Sequence, residues 1–156
     1  MNIRRSGSRQ SGATMIEVLV ALFVLSVGLL GVAAMQQVGL RNSHSAHLRS
    51  QATALAYDMA DRMRANVRAA REERYDTDLA VDPDLDVCVA NPTPDEVIDC
   101  DISQWLDSLQ RVLPLGDGTI EVEALAGGMQ RATITVQWDD TRGEGDALVF
   151  TTVTQL

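Results

Sequence analysis

From Val18 to Met35 the chain runs eighteen residues without a charge or a proline, broken only by Ser26, Gly28 and Gly31. At about 1.5 Å per residue, a helix of that run is ~27 Å long, close to the thickness of a bilayer's hydrocarbon core. Glu17 stands at its mouth. A carboxylate at the bilayer centre costs roughly 2.5–3.5 kcal/mol on insertion scales, and it is a liability even near the edge. Either the run does not enter a membrane, or Glu17 finds a partner there.

Charge is divided unevenly around this run. All thirteen basic residues are arginine, and Arg4, Arg5 and Arg9 precede the apolar stretch. Positive charge on that side predicts a cytoplasmic N-terminus with the rest exported. Arg4-Arg5 is followed by Ser-Gly-Ser, which lacks the apolar pair of a twin-arginine address. The twenty-two Asp and Glu residues all lie from Glu17 onward, so removing residues 1–12 takes three positive charges away and moves the net charge from −9 to −12. An acidic body of this kind excludes nucleic acid as a partner, because phosphate contacts need clustered Lys or Arg. The arginines from Arg62 to Arg74 are interleaved with Asp61, Glu72 and Glu73 and read as a solvated helix face.

An ordinary signal peptide, cut after Ala33 or Ala34, is one reading of the N-terminal segment. Its apolar core is usually about 7–15 residues long. This run is longer, and helical periodicity continues beyond it without a break. An uncleaved membrane anchor is a second reading.

The sequence Gly12-Ala13-Thr14-Met15-Ile16-Glu17, followed by Val-Leu-Val-Ala-Leu, resembles the processing site of type IV prepilins and their pseudopilin relatives. The resemblance implies that residues 1–12 are a leader, cut between Gly12 and Ala13 on the cytoplasmic side. The enzyme implied is a membrane-embedded prepilin peptidase, which also methylates the new N-terminal amine of Ala13. Glu17 then becomes the fifth residue of the mature chain. Ala13 departs from the commoner Phe at the first mature position. In this family the glutamate is thought to neutralise the N-terminal amine of a neighbouring subunit in the filament.

Physical chemistry is consistent with that role. Methylation leaves the ammonium charge in place, at the positive end of a helix dipole. An unpaired carboxylate in lipid is costly, so pairing on assembly supplies a register signal together with attraction. Snorkelling to the headgroups and capping the helix is the simpler role for Glu17. The two fit in succession, snorkelling before assembly and pairing after it. Gly28 and Gly31 each weaken the helix by about 1 kcal/mol relative to Ala and permit close packing. Major pilins usually carry a proline in this segment. Here the first is Pro83, which fits a minor subunit.

Beyond Arg41 the helical period persists. Leu48, Ala52, Leu55, Met59, Met63, Val67 and Ala70 form one stripe of an amphipathic helix. Asp58 and Arg62 make an i,i+4 pair on its flank. Residues from about 14 to 74 thus read as one helix, roughly 90 Å long, whose second half needs a globular partner for one face. Met59 and Met63 belong to that core. His44 and His47 stand three apart but have no Cys or carboxylate cluster nearby, so no metal is assigned to them.

Glu72 to Asp86 is acidic and aperiodic, and reads as a connection. The only two cysteines, Cys88 and Cys100, follow within "CVANPTPDEVIDC". In an exported chain a close, even pair points to a disulfide, worth about 3 kcal/mol for a loop of that size. Buried thiols and a thiol catalyst are the alternatives, the latter poorly served without a nearby His.

Next, Asp101 with Gln104 offers a capping arrangement. Ile102, Trp105, Leu106, Leu109 and Leu113 share a face, and Pro114 ends the helix. Three alternating stretches around 119–125, 131–138 and 147–153 then read as an antiparallel meander packed on the amphipathic helix. The fold class is α+β. Asp139, Asp140, Glu144 and Asp146 gather in one loop, but their spacing does not match an EF-hand. An acidic hairpin loop is the commoner explanation, with calcium binding by this loop (139–146) as the alternative.

The expected organisation is a leader (1–12), an apolar transmembrane and filament-core helix (13–40) and a periplasmic head (41–156). Within the head come the amphipathic half-helix (about 41–74), a loop (75–100), a helix (about 101–113) and the three strands. The order of elements, with "DISQWLDSLQRVLP" and "ATITVQWDD", is similar to that of PilV-type minor pilins of the type IV pilus. That resemblance implies a pilin-like fold, an inner-membrane location and later a place in the pilus near its tip. It implies other minor pilins and the major pilin as partners, and a priming complex that supports twitching motility and adhesion. No catalytic constellation and no cofactor site are read from the residues. A minor pseudopilin of a type II secretion system is the nearest rival, and a periplasmic soluble protein behind a signal peptide the more distant one.

Overall fold

The structure is a computed structural model that describes residues 14–126, 128–140 and 145–156. The chain divides into two compact units, residues 1–42 and 43–156. A single helix, α1 (Met15–Ala65), contributes to both. In the first unit α1 is apolar all round from Val18 to Met35, and none of the unit's described residues is buried. Its one hydroxyl there, on Ser26, donates to the Phe23 carbonyl at 2.8 Å, which satisfies the side chain within its own helix.

In the second unit α1 becomes one-sided. Leu48, Ala52, Ala56, Met59, Ala60 and Met63 are buried, at the three- and four-residue spacing that keeps a stripe on one face. Leu55 is only partly buried. Its carbonyl accepts the Trp105 indole N–H at 3.0 Å, which places the helix backbone against that ring.

The expected continuous helix to residue 74 is interrupted. Asn66 leaves helical geometry, at φ −122° and ψ 52°, and a second short helix, α2 (Val67–Arg71), follows. Asn is a weak helix former, although its side chain makes no capping hydrogen bond here. The break turns Val67 outward, to 39 % exposure, while Ala69 and Ala70 are buried. Glu73, at φ 59°, then takes the left-handed position that ends the helix. Arg74 N–H donates to the Ala69 carbonyl and Glu73 N–H to the Ala70 carbonyl, each at 3.2 Å, the double closure of a Schellman motif.

The connection after α2 also departs from expectation. It holds a short 3₁₀ turn, Leu85–Val87, and ends at Thr93 rather than at residue 100. The next helix, α3, spans Pro94–Val112. Thr93 Oγ1 accepts from Glu96 N–H at 3.3 Å, and the Glu96 carboxylate accepts from Thr93 N–H at 2.7 Å. This capping box, with Pro at the first helical position, starts the helix seven residues before the expected cap Asp101. Asp101 lies inside α3 instead. The helix ends at Val112, with Leu113 as its C-cap before Pro114, close to where the sequence suggests.

Three antiparallel strands follow, β1 (Asp117–Ala124), β2 (Gln130–Trp138) and β3 (Leu148–Gln155), in the order β1-β2-β3. Ile120 opposes Ile134, and Val136 opposes Phe150. Ile120, Val122, Ala132, Ile134, Val136 and Trp138 point into the core, while Ala124, which continues the alternation of Ile120 and Val122, is exposed. The core joins this sheet face to the α1 stripe and to Trp105, Leu106 and Leu109 of α3. Gly118 is required where it stands. A Cβ there would lie 2.5 Å from the Trp105 ring and 2.9 Å from the Thr135 carbonyl oxygen. Helix and sheet elements in this order make the α+β class expected from the sequence.

Candidate functional site

The N-terminal segment is the candidate site. Gly12 and Ala13, the expected cleavage pair, lie outside the described residues. From Thr14 onward the backbone is already turning. The Thr14 carbonyl accepts from Glu17 N–H at 3.0 Å and from Val18 N–H at 3.2 Å. Glu17 therefore sits in the first turn of α1, where the positive end of the helix dipole favours a carboxylate. Its side chain is exposed and has no hydrogen bond or ion pair among the described residues.

Behind Glu17 the helix offers only apolar surface. Ile16, Leu19, Phe23 and Leu30 are each at least 62 % exposed. A window of eighteen residues in α1 has a mean hydropathy of 2.7, and none of it is buried. Helix side chains of this kind are covered either by lipid or by other apolar helices. Gly28, Gly31 and Gly39 have nothing within 4 Å of a Cβ position, so they leave the surface notched. The chemistry available here is therefore apolar helix packing and one carboxylate in the first helical turn, at the start of the apolar run.

In the head, Cys88 and Cys100 form a disulfide with Cα atoms 4.9 Å apart. It joins the end of the 3₁₀ turn to α3. The Gln104 amide lies 3.2 Å from Cys100 Sγ, one turn further along the same helix. His44 and His47 are both exposed, and His47 Nε2 lies 3.2 Å from Gln51 Nε2. No group of three His, Cys, Asp or Glu suited to a metal ion occurs among the described residues. In the acidic loop, Asp139 N–H donates to the Pro114 carbonyl at 2.9 Å. Asp140 accepts from the Ser45 hydroxyl at 2.7 Å, which ties the loop to α1. Glu144 lies outside the described residues, and Asp146 is exposed.

A polar junction not foreseen from the sequence holds the head helices together. Arg62 bonds Asp58 at 2.9 Å and Asp101 at 3.0 Å, and the Tyr75 hydroxyl donates to the other Asp101 oxygen at 3.0 Å. Burial, reinforced by Asp101, pushes the Tyr75 phenol up to about 12. Only the Asp58–Arg62 spacing signalled this junction in advance. Asp101 and Tyr75 come from segments whose contact depends on the tertiary fold.

No curated protein and no solved structure matches this chain. Residues 7–33, which contain Gly12, Ala13 and Glu17, match the family described as the prokaryotic N-terminal methylation motif. The chain thus carries a prepilin-type N-terminal motif, leading into an apolar helix and an α+β head of pilin-like plan.

Proposed function

We propose that this chain is a minor pilin, a non-enzymatic subunit that helps to initiate type IV pilus assembly in a priming complex. The observation that carries the reading is the Gly12-to-Glu17 spacing within the matched motif, at the start of an apolar helix. Prepilin peptidase cuts after Gly12 and methylates Ala13. The helix resides in the inner membrane with the head in the periplasm, and then passes into the filament. Glu17 meets the terminal amine of a neighbouring subunit there, exchanging an unpaired carboxylate in an apolar layer for an ion pair. Other minor pilins and the major pilin are its partners, and twitching motility and adhesion depend on the product. The absence of proline in α1 supports a minor rather than a major subunit.

A minor pseudopilin of a type II secretion system shares every one of these N-terminal features. Deletion of the gene distinguishes the two. Loss of surface pili and twitching with normal exoprotein secretion supports the pilus. Loss of secretion with normal pili refutes it in favour of the pseudopilus.

A further inference from the structure

The two edges of the sheet are finished differently. Leu156 N–H donates to the Gln130 carbonyl at 3.0 Å, and β2 and β3 pair in register from Arg131–Gln155 to Trp138–Leu148. Bonded and non-bonded pairs alternate along an antiparallel ladder. The even-numbered residues of β3 therefore turn their backbone groups toward β2. Val149, Thr151, Val153 and Gln155 turn theirs away, at the outer edge.

On β1 the same alternation leaves Gly118, Ile120, Val122 and Ala124 facing outward, and the N–H groups of the first three are occupied. Thr77 takes both the N–H and the carbonyl of Ile120, at 3.1 and 3.0 Å. Asp76 accepts from Val122 N–H at 3.0 Å, and Asp117 from Gly118 N–H at 2.8 Å. Among the described residues nothing comparable meets the outward groups of β3.

Among the described residues the β3 edge also lacks a charge, a proline and a bulge. Natural edges carry charges, proline or a bulge to stop them pairing with other chains. Leu148–Gln155 reads Leu-Val-Phe-Thr-Thr-Val-Thr-Gln and pairs with β2 without a bulge. No charged side chain occurs from Ala147 to Leu156, in a protein with twenty-two acidic residues. Val149 and Val153 stand 58 % and 56 % exposed beside that edge.

We infer that the outer edge of β3 is a docking site for one extended strand of a different protein chain, uncharged along the strand and basic around it. Outward N–H and carbonyl groups on every second residue are matched only by another extended backbone. The exposed Val149, Thr151 and Val153 select apolar or β-branched neighbours at facing positions. Basic surroundings follow from the net charge of −9 on this chain. A second copy is a poor occupant. Head-to-tail addition needs a β1 edge, which Thr77 and Asp76 close, and β3-to-β3 pairing sets two acidic bodies side by side. A sheet with one open edge accepts a single strand and propagates no row. This inference rests on the edge geometry and is independent of the pilin reading.

The test uses the full chain in detergent micelles with a synthetic peptide of alternating valine and threonine, carrying lysine at each end. A twin peptide with glutamate at each end is the charge control. Thr151→Pro removes an outward N–H without removing a β2–β3 hydrogen bond, because edge positions of that kind tolerate proline. Val149→Lys adds a guard and leaves the backbone unchanged. Binding is read by fluorescence anisotropy, and its location by amide hydrogen exchange.

The lysine peptide is expected to bind more tightly than its glutamate twin. It should slow exchange at Val149, Thr151 and Val153, and each variant should weaken it by about tenfold. Binding that both variants leave unchanged, protection elsewhere, or no binding overturns the proposal. So does self-association of the chain through β3 in the absence of peptide.

Discussion

Arg62 of α1 reaches Asp101 of α3 at 3.0 Å while its Nε holds Asp58 one turn back at 2.9 Å. Asp101 accepts Tyr75 on its other oxygen, so one carboxylate joins α1, α3 and the chain after α2. Both partners of the inter-helix bond are largely covered, with side-chain exposures of 28 % and 22 %. Removing one charge from such a bond leaves the other half-buried and uncompensated. Arg62→Ala is therefore expected to destabilise the head by about 1–3 kcal/mol in denaturant unfolding. Arg62→Lys should restore only part of it, because an ammonium cannot serve both carboxylates with a planar fork. A loss below about 0.5 kcal/mol, the size of an ordinary surface pair, contradicts this role.

The Tyr75 phenol gives the same junction a pH signature. Burial first, and Asp101 second, raise it from 10.0 to about 12. Between those values the unfolded chain loses the proton that the folded chain keeps, so the unfolded state binds fewer protons and stability falls as pH rises. The contribution is complete below pH 10 and lost by about pH 12. Ultraviolet titration of a Tyr57→Phe variant follows Tyr75 alone, since the chain has two tyrosines. Ionisation near 10 would show that the hydroxyl is not held as described.

At the start of α3, Thr93 and Glu96 satisfy each other's backbone N–H groups. Thr93→Ala should cost about 1 kcal/mol in thermal or chemical unfolding. The bonds from Thr93 hold the Glu96 carboxyl below its ordinary 4.5. Its contribution is therefore present above that value and lost as pH falls through the lowered one. Acid unfolding of Glu96→Ala should accordingly be less steep over that window than that of the parent. Identical acid transitions would remove Glu96 from the cap.

Two substitutions at the N-terminal motif separate processing from assembly. Gly12→Glu should block cleavage, leaving a precursor that retains residues 1–12. Glu17→Ala should still insert and be cleaved, since it removes a charge from an apolar helix, but should enter filaments poorly. Immunoblots of membranes and of sheared pili read both outcomes. Normal incorporation of Glu17→Ala refutes the pairing role while leaving the processing site untouched.

The long helix was legible because two strong patterns lie end to end, an uninterrupted apolar run and a stripe from Leu48 to Met63. The break at Asn66 was not, since the apolar spacing runs on to Ala70 regardless. The start of α3 was misplaced because Pro92 and Pro94 look like loop residues. Thr93 with Glu96 three residues later, and proline at the first helical position, was the signal that outweighs them. The strands were legible from alternation, with ends shifted by one or two residues. Nothing local announces that Thr77 closes the β1 edge, or that Tyr75 and Arg62 converge on Asp101. Such contacts are set by how separate segments pack. In the candidate site, Glu17 could be read from the cost of a carboxylate in an apolar run, whereas the significance of Gly12 and Ala13 came from the motif they resemble.

Mass spectrometry of the N-terminus of the mature, membrane-extracted chain is the most direct test of a prepilin-type subunit. A chain that begins at N-methylated Ala13 and retains Glu17 in an intact helix is the predicted result. A mature start after Ala33 or Ala34, or an unprocessed Met1, contradicts it.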